Sequence, residues 1–579
     1  MKANPLFSRF ELIADTPGNV QLLRKLIVYL AISGRLLDSH SNELSIPEIL
    51  SEIASKRQLL ITSGKAKKQR VLPPIDETEL PAGCQDKARF ERLENIATLE
   101  KGLTAIQRSK RGDYPLVTTG EHKSSSDHYD FEGRAAIIPM VSSTGHGSAT
   151  LKRLHYQEGK FAVGNILCAA FPISDELISA RFIFEYLTAF KEELLVSKMI
   201  GTANVSLTIG KIGEVPIPIV PPAVQRRVDE LMTLCDRFEE ALECRERVRD
   251  QLVTASLHHL NEAANGQSLR THTSLYFGHL PRLTTQSHHI EQLRETILNI
   301  AVRGQFSAQN LSDEPVSKLL GQIRLEQQRL VSEGAIPKPK PLLPVSQTQL
   351  AFDLPPNWES VDFGELCNVV TSGSRGWAEY YSESGAKFIR AQNIRFGKLR
   401  LDDLACVNPP KKIEGTRTQV SNGDLLVVIT GAGVTNPALL ETDLGEAYVS
   451  QHVALIKPTD TSLSAWLLLC LMAPMGGRGE LVKRAYGAGK PGLNLGNIRS
   501  LPIPLPPLAE QRRILAKVSA VMKICDRLET TLAAQKSESG RLLEAVLHLA
   551  LRTSGTSTSI VNALLSSSSP AALNQSLMT

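Results

Sequence analysis

Two stretches decide how this chain reads: IGEVPIPIVPPAVQRR (Ile212–Arg227) and IRSLPIPLPPLAEQRR (Ile498–Arg513), offset by 286 residues. Four prolines in each (Pro216, Pro218, Pro221, Pro222 and Pro502, Pro504, Pro506, Pro507) forbid helix and hold an extended path. A helix is expected directly behind the last proline, where a missing N–H does no harm. Val224, Val228, Leu231, Cys235, Phe238 and Leu242 then recur at intervals of four and three, the seam of a coiled coil. Ile514, Val518, Val521, Cys525, Leu528 and Leu532 repeat the pattern. LCDRFEEAL from Leu234 matches ICDRLETTL from Ile524 at an offset of 290, so the second copy holds four extra residues, about one turn, between hinge and seam. An ordinary amphipathic surface helix fits each stripe alone, but two matched stripes favour mutual packing. Packing the rods as an antiparallel coiled coil would relate the halves of this tandem repeat by a pseudo-two-fold axis.

Outward from the hinges, the N-terminal flank repeats as well. NVQLLRKLIVYLAISGRLL from Asn19 resembles HIEQLRETILNIAVRGQF from His289: Arg24 meets Arg294, Ala31 meets Ala301 and Gly34 meets Gly304, each pair 270 residues apart. The register persists through Ile53 with Ile323, Gly64 with Gly334 and Pro74 with Pro344. Between these matched segments the halves hardly resemble each other. In the first, YPLVTTG, AAIIPMVSS and FAVGNILCAAF read as strands; in the second, KFIRAQNI, DLLVVITGAG and SQHVALIKP do. DELISARFIFEYLTAFKEEL and SAWLLLCLM read as helices packed on them, so each region is expected to be a mixed α/β domain.

Composition bounds the function. The 579 residues are 42% hydrophobic and 22% charged, which excludes a wholly disordered or fibrous chain. A net charge of +5 announces no nucleic-acid partner by itself, although it leaves room for local basic faces. Eight scattered cysteines form no CxxC pair, the N-terminus lacks the apolar stretch of a signal peptide, and AWLLLCLMAP from Ala465 is half the length of a membrane span. A cytoplasmic protein without a membrane association is expected. KPKPLLP around Lys338–Pro344 reads as an extended connector, and the polar stretch Asn261–Gln286 as loops between helices.

The loops of the variable regions carry side chains suited to base edges and phosphates: RSKRGDY (Arg108–Tyr114), TTGEHKSSS (Thr118–Ser126), SSTGHGS (Ser142–Ser148), TSGSRGW (Thr371–Trp377), IRAQNIRFGK (Ile389–Lys398) and YGAGKPGLN (Tyr486–Asn494). Arg forks to guanine, Asn or Gln to adenine, and Gly lets a backbone approach phosphate. The candidate DNA-contacting residues are Arg108, Lys110, Arg111, Thr118, Thr119, Glu121, His122, Lys123, Ser143, Thr144 and His146 in the first region. In the second they are Ser372, Ser374, Arg375, Arg390, Gln392, Asn393, Arg395, Lys490 and Asn494. No catalytic or metal constellation accompanies them: P-loop, HExxH and GxSxG motifs are absent. Gly431 and Gly433 lack the following helix of a dinucleotide site, and Asn408-Pro409-Pro410-Lys411 reads as a turn after an acidic segment rather than a base-stacking loop. His258-His259 and His288-His289 read as surface histidines without carboxylate companions.

With tandem PIP hinges, matched helices and two dissimilar inserts assembled, the chain resembles the specificity subunit of Type I restriction–modification systems. The resemblance rests on LPIPLPPLAEQRRI (Leu501–Ile514), VPIPIVPPAVQRRV (Val215–Val228), the ISGRLL and VRGQF helix ends and DYPLVTTGEHKSSSDHYDFEG, and it extends from about Asn19 to Arg552. One departure is Val224, where the second copy has Glu510. The resemblance implies two α/β target recognition domains separated by long conserved helices. On this reading the layout is an N-terminal helical segment (1–86), a first recognition domain (87–214), a central helical region and connector (215–356), a second recognition domain (357–500), a C-terminal helix (501–552) and a disordered tail (553–579). It further implies a non-catalytic subunit that reads an asymmetric bipartite target in double-stranded DNA and docks two modification (methyltransferase) subunits, with room for two restriction (translocase/nuclease) subunits. S-adenosylmethionine, ATP and Mg would belong to those partners, with no cofactor in this chain. The alternatives are a specificity subunit of a methylation-based defence system without a Type I nuclease, and a self-sufficient DNA methyltransferase, which the missing motifs disfavour.

Overall fold

A computed structural model of the chain describes residues 17–37, 44–64, 70–81, 84, 86–120, 124–146, 148–201, 204–263, 266–310, 312–338, 350–410, 417–487 and 491–552. Most of the connector after Lys338 and the whole tail after Arg552 lie outside this set. The chain divides into two compact units, residues 1–246 with 536–579, and residues 247–535. Each long helix therefore begins in one unit and ends in the other.

Unit 1 opens with helices α1 (Pro17–Ile32) and α2 (Ile46–Thr62). The α1 chain turns at Gly34, whose φ of +71° lets Arg35 N donate to Leu30 O at 2.8 Å and closes the helix end; Gly304 at +70° does the same in unit 2. That is why the repeat keeps glycine at both positions. Next come β1 (Phe90–Arg92), β2 (Ala97–Lys101), β3 (Tyr114–Val117), β4 (Ser124–Ser126), β5 (Phe131–Pro139), β6 (Val141–His146), β7 (His155–Val163) and β8 (Leu167–Pro172). Helices α3 (Ala180–Ala189) and α4 (Ile209–Gly213), β9 (Asn204–Ser206), β10 (Pro216–Pro218) and the first part of α5 (Pro222–Asn261) complete the unit. The first PIP segment is more than a hinge. It is β10, paired antiparallel with β1, so the entry and exit of the α/β domain are zipped together. Six strands form one sheet in the order β2-β8-β5-β7-β3-β4.

Unit 2 repeats the plan. After the end of α5 come α6 (Gly266–Gly278), α7 (Leu280–Leu283), α8 (Ser287–Val302) and α9 (Val316–Ser332). The expectation of loops over Asn261–Gln286 is thus corrected: Tyr276 and Leu280 supply enough apolar surface to bury two short helices. The strands are β11 (Glu359–Asp362), β12 (Cys367–Ser372), β13 (Tyr381–Ser382), β14 (Ala386–Ile389), β15 (Ile394–Arg395), β16 (Lys398–Leu399), β17 (Ala405–Val407), β18 (Leu425–Val428), β19 (Pro437–Leu439), β20 (Ala447–Val449), β21 (Val453–Pro458) and β22 (Pro502–Leu505). Helices α10 (Ser464–Met472), α11 (Leu495–Arg499) and the first part of α12 (Leu508–Arg552) pack with them. Again the PIP segment, β22, pairs with the entry strand β11.

The seams of the rods find their first partners inside each unit. Val228, Leu231, Cys235 and Leu242 share a core with Leu26, Ile27 and Leu30 of α1. Ile514, Val518 and Cys525 share one with Leu293 and Ile297 of α8. Val253 and Leu257, at the far end of α5, are buried against α8 in the same core. A buried glutamine locks each hinge to its rod. Gln225 Nε2 donates to Val220 O at 2.9 Å and to Leu177 O at 2.7 Å, and Gln511 Nε2 donates to Pro506 O at 2.8 Å.

Candidate nucleic-acid interface

The two α/β domains, dissimilar in sequence, share a strand frame. Ala97 of β2 faces Pro172 of β8, as Cys367 of β12 faces Pro458 of β21. Val117 of β3 runs parallel to Val163 of β7, as Ile389 of β14 does to Val449 of β20. Pro139 meets Leu167 in the first domain, and Val428 meets Val453 in the second. One tight turn follows in each: Gly164–Leu167 in the first and Ser450–Val453 in the second.

Around the first turn, Gly164 N donates to Val117 O (2.9 Å), Asn165 N to Thr104 O (2.9 Å) and Met140 N to Ile166 O (2.9 Å). The loops leaving β2, β3 and β5 therefore meet at one end of the domain, opposite the PIP strand. Around the second turn, Ser450 N donates to Ile389 O (2.9 Å) and Ile429 N to His452 O (2.9 Å). The approach is close enough to demand glycine: a Cβ on Gly102 would stand 2.2 Å from Gly164 O, and one on Gly373 1.9 Å from Val449 O. A fourth loop joins each end. Leu207 N donates to Met140 O, and Leu493 N to Ile429 O, both at 2.8 Å.

The loops that converge here carry several of the residues expected to meet DNA. In the first domain Arg108 ends a short turn, Lys110 and Arg111 are exposed beside it, and Thr118 and Thr119 follow β3. Thr118 Oγ1 accepts from Gly120 N at 3.2 Å. Ser143 opens toward solvent on β6, its Oγ accepting from Lys152 N at 3.0 Å, and Thr144 and His146 lie on the same strand. Glu121, His122 and Lys123 lie outside the described residues, as does Lys490. In the second domain Ser372 ends β12, Arg375 is exposed, and Arg395 is exposed on β15. Arg390 and Gln392 follow β14, as Thr118 and Thr119 follow β3. Arg390 and Gln392 donate to Asp403 and Ser374 accepts from Arg417, and two further expected readers are built into the fold. Asn393 is buried, its Oδ1 accepting from Arg390 N at 2.9 Å and its Nδ2 donating to Asp403 O at 2.7 Å. Asn494 caps α11, accepting from Asn497 N at 2.8 Å.

Sequence reasoning passed over three features at these ends. Arg417 is exposed, and its guanidinium is fixed by Thr371 Oγ1 (2.7 Å), Ser372 O (3.0 Å) and Ser374 Oγ (2.8 Å). His128 stands between Asp127 Oδ1 (2.8 Å) and Thr104 Oγ1 (3.2 Å). The Ile200–Ser206 bridge matches the Tyr486–Gly492 bridge. Only this pair had a signal in the sequence, its 286-residue offset; Arg417 and His128 reach Thr371 and Thr104, 46 and 24 residues away.

His288 and His289 do have a carboxylate companion, contrary to expectation: Asp250 Oδ1 lies 3.1 and 2.7 Å from their Nε2 atoms, and the His289 side chain is fully buried. His289 Nδ1 accepts from Thr285 N and Gln286 N, both at 3.3 Å, so its proton sits on Nε2 and points at Asp250. The three side chains latch α5 to α8, and their ligand atoms lie within 4.8 Å of one another. The Asn408 segment directly follows strand β17, which corrects its reading as following an acidic turn, and β18 continues through Gly431 and Gly433 into β19 without a helix. Among the described residues no helix is long and apolar enough to cross a membrane.

A Type I restriction modification DNA specificity domain matches residues 86–246 and 355–535, more than half of the chain. The chain belongs to the Type I restriction–modification specificity family. Each match takes in one α/β domain and the part of the long helix that shares its unit. The Type I restriction enzyme EcoEI specificity subunit of Escherichia coli is 28% identical over 575 residues, spanning 92% of this chain and 94% of the relative. The EcoAI specificity subunit of the same organism is 26% identical, with coverage of 92% and 94%. The HsdS subunit of Thermoanaerobacter tengcongensis, a solved structure, is 18% identical, with 80% of this chain and 96% of that one covered at a TM-score of 0.36. The specificity family supplies the DNA-recognition component of its complexes, without a catalytic site of its own.

Proposed function

We propose that this chain reads a bipartite DNA sequence for a Type I restriction–modification complex, with one α/β domain for each half-site. The observation that carries this is the shared strand frame. It brings loops of different sequence to the same end of both domains, so one docking geometry presents two different sets of readers. The readers are Lys110, Arg111, Thr119 and Ser143 on the first domain, and Arg375, Arg390, Gln392, Arg395 and Arg417 on the second. The recognition domains take in residues 87–214 and 357–500, and the helical remainder docks two methyltransferase subunits and, in the restricting assembly, two restriction subunits. The work is cytoplasmic, where the DNA is.

Single-molecule methylome sequencing of cells carrying variants beside the parent tests the assignment. Arg390→Ala and Gln392→Ala should relax one half of the methylated sequence, each lost bidentate contact costing about 1–3 kcal/mol. Lys110→Ala with Arg111→Ala should affect only the other half. Relaxation of both halves by one variant contradicts the division of labour.

A further inference from the structure

We infer that the Asp403 carboxylate is a positioning group for the second recognition domain, holding Arg390 and Gln392 as an oriented pair and screening the cation from DNA of the wrong sequence. The inference rests on the reading that the loop after β14 meets DNA. Asp403 lies between β16 and β17, and its main chain and side chain do different things. Its carbonyl oxygen accepts from Asn393 Nδ2 at 2.7 Å and from Arg390 Nη2 at 3.2 Å. With Arg390 N donating to Asn393 Oδ1 (2.9 Å) and Arg400 N to Asn393 O (2.8 Å), these bonds fix the loop's backbone around the buried Asn393. The carboxylate adds nothing to that frame. It is 65% exposed, and its Oδ2 lies 3.4 Å from Gln392 Nε2 and 3.8 Å from Arg390 Nη2, the two side chains proposed to read bases.

An exposed carboxylate in such a place contributes little to stability. Its effect on DNA is larger. A lone guanidinium is drawn to any phosphate, which gives affinity without sequence information. A guanidinium already facing a carboxylate gains less from a phosphate. It is still recruited by a guanine edge, whose two acceptors match its fork. Gln392, tethered by the same oxygen, starts from a restricted set of orientations, so less freedom is lost when it meets its base.

The test uses the chain assembled with its methyltransferase subunits. Binding is measured by fluorescence anisotropy to the cognate duplex and to duplexes scrambled in one half-site or in both. Asp403→Ala should bind fully scrambled DNA about three- to tenfold more tightly, with a salt dependence steeper by about 0.9. It should lose about tenfold of its discrimination at the second half-site and none at the first. Asp403→Asn, which keeps an acceptor for Gln392 but not the charge, should show the gain on scrambled DNA with a smaller loss of discrimination. Undiminished discrimination in Asp403→Ala, or a loss that comes only with a lower melting temperature, would overturn the inference. Arg390→Ala run alongside separates the two levels. If it changes neither affinity nor discrimination at the second half-site, the loop itself does not meet DNA; if it relaxes that half-site while Asp403→Ala does not, only the role of Asp403 fails.

Discussion

Arg24 Nη2 lies 2.6 Å from Asp236 Oδ1 and 3.0 Å from Glu239 Oε2, tying the first helix of the chain to the first long rod. Arg294 repeats the contact in the second unit, 2.8 Å from Asp526 and 2.7 Å from Glu529. The arginines are 270 residues apart and their acceptors 290, so the four-residue step after the second hinge leaves the pairing intact. What the repeat preserves is the meeting of short helix and rod. Ion pairs mark it, and the apolar seams beneath supply most of its energy.

Arg24→Ala should therefore destabilise unit 1 by about 1–3 kcal/mol, because it strips Glu239 of its cation and leaves Asp236 only Arg181, 3.9 Å away. Arg294→Ala should do the same to unit 2. Urea denaturation followed by hydrogen exchange of each unit's helices checks this; equal loss of protection in both units after one substitution would contradict it.

Acid should loosen unit 1 through Glu79. Arg92 holds this carboxylate in two hydrogen bonds of 2.9 Å and Lys198 in one of 2.7 Å, which pulls its pKa down from 4.5 to about 2. A depressed carboxylate stabilises the fold above its unfolded value, and that stability is lost as pH falls from about 4.5 toward 2, some 2–3 kcal/mol in all. Glu79→Gln should flatten stability against pH over that window, as read by thermal melts at pH 3, 5 and 7.

Glu510→Val places in the second hinge the residue that the first hinge has at Val224. Glu510 is buried and accepts from Trp358 Nε1 (3.1 Å), Gln309 Nε2 (2.7 Å) and Ser307 Oγ (3.2 Å), while burial pushes its pKa up. The substitution strands those donors and should cost about 2–4 kcal/mol. Tryptophan fluorescence, to which Trp358 contributes with Trp377 and Trp466, reports the shift in denaturant titrations; a variant as stable as the parent would show that the network is dispensable.

The rods can be tested as a ruler at the place where they are least packed. Ala533–Glu538 of α12 are exposed throughout, whereas Ile514, Val518 and Cys525 are buried in unit 2. Four residues inserted after Gln535, matched by four after Glu246, add about 6 Å of helix and should lengthen the unread spacer by one or two base pairs. Four residues inserted after Arg513 should instead drag Asp526 and Glu529 away from Arg294 and lower stability. Methylome sequencing gives the spacer directly, and an unchanged spacer with intact methylation in the paired insertion denies the rods that role.

The sequence by itself determined the repeat, the rods and the strands. Proline cannot donate a hydrogen bond, helix ends need glycine, and heptads need apolar residues every three and four positions, so these features are written locally. Hence Gly34 with Gly304, and the two PIP hinges, could be paired by eye. Only the tertiary structure decided that the two inserts share one frame, because a buried strand accepts many apolar sequences, and Ile137 and Leu426 show no likeness until their partners Ala169 and Leu455 are aligned. It also decided which polar side chains stay available. Asn393 and Gln392 are neighbours of similar chemistry in the sequence, yet one is buried against Asp403 O and the other is exposed. That difference depends on a turn ten residues away, and no local pattern encodes it.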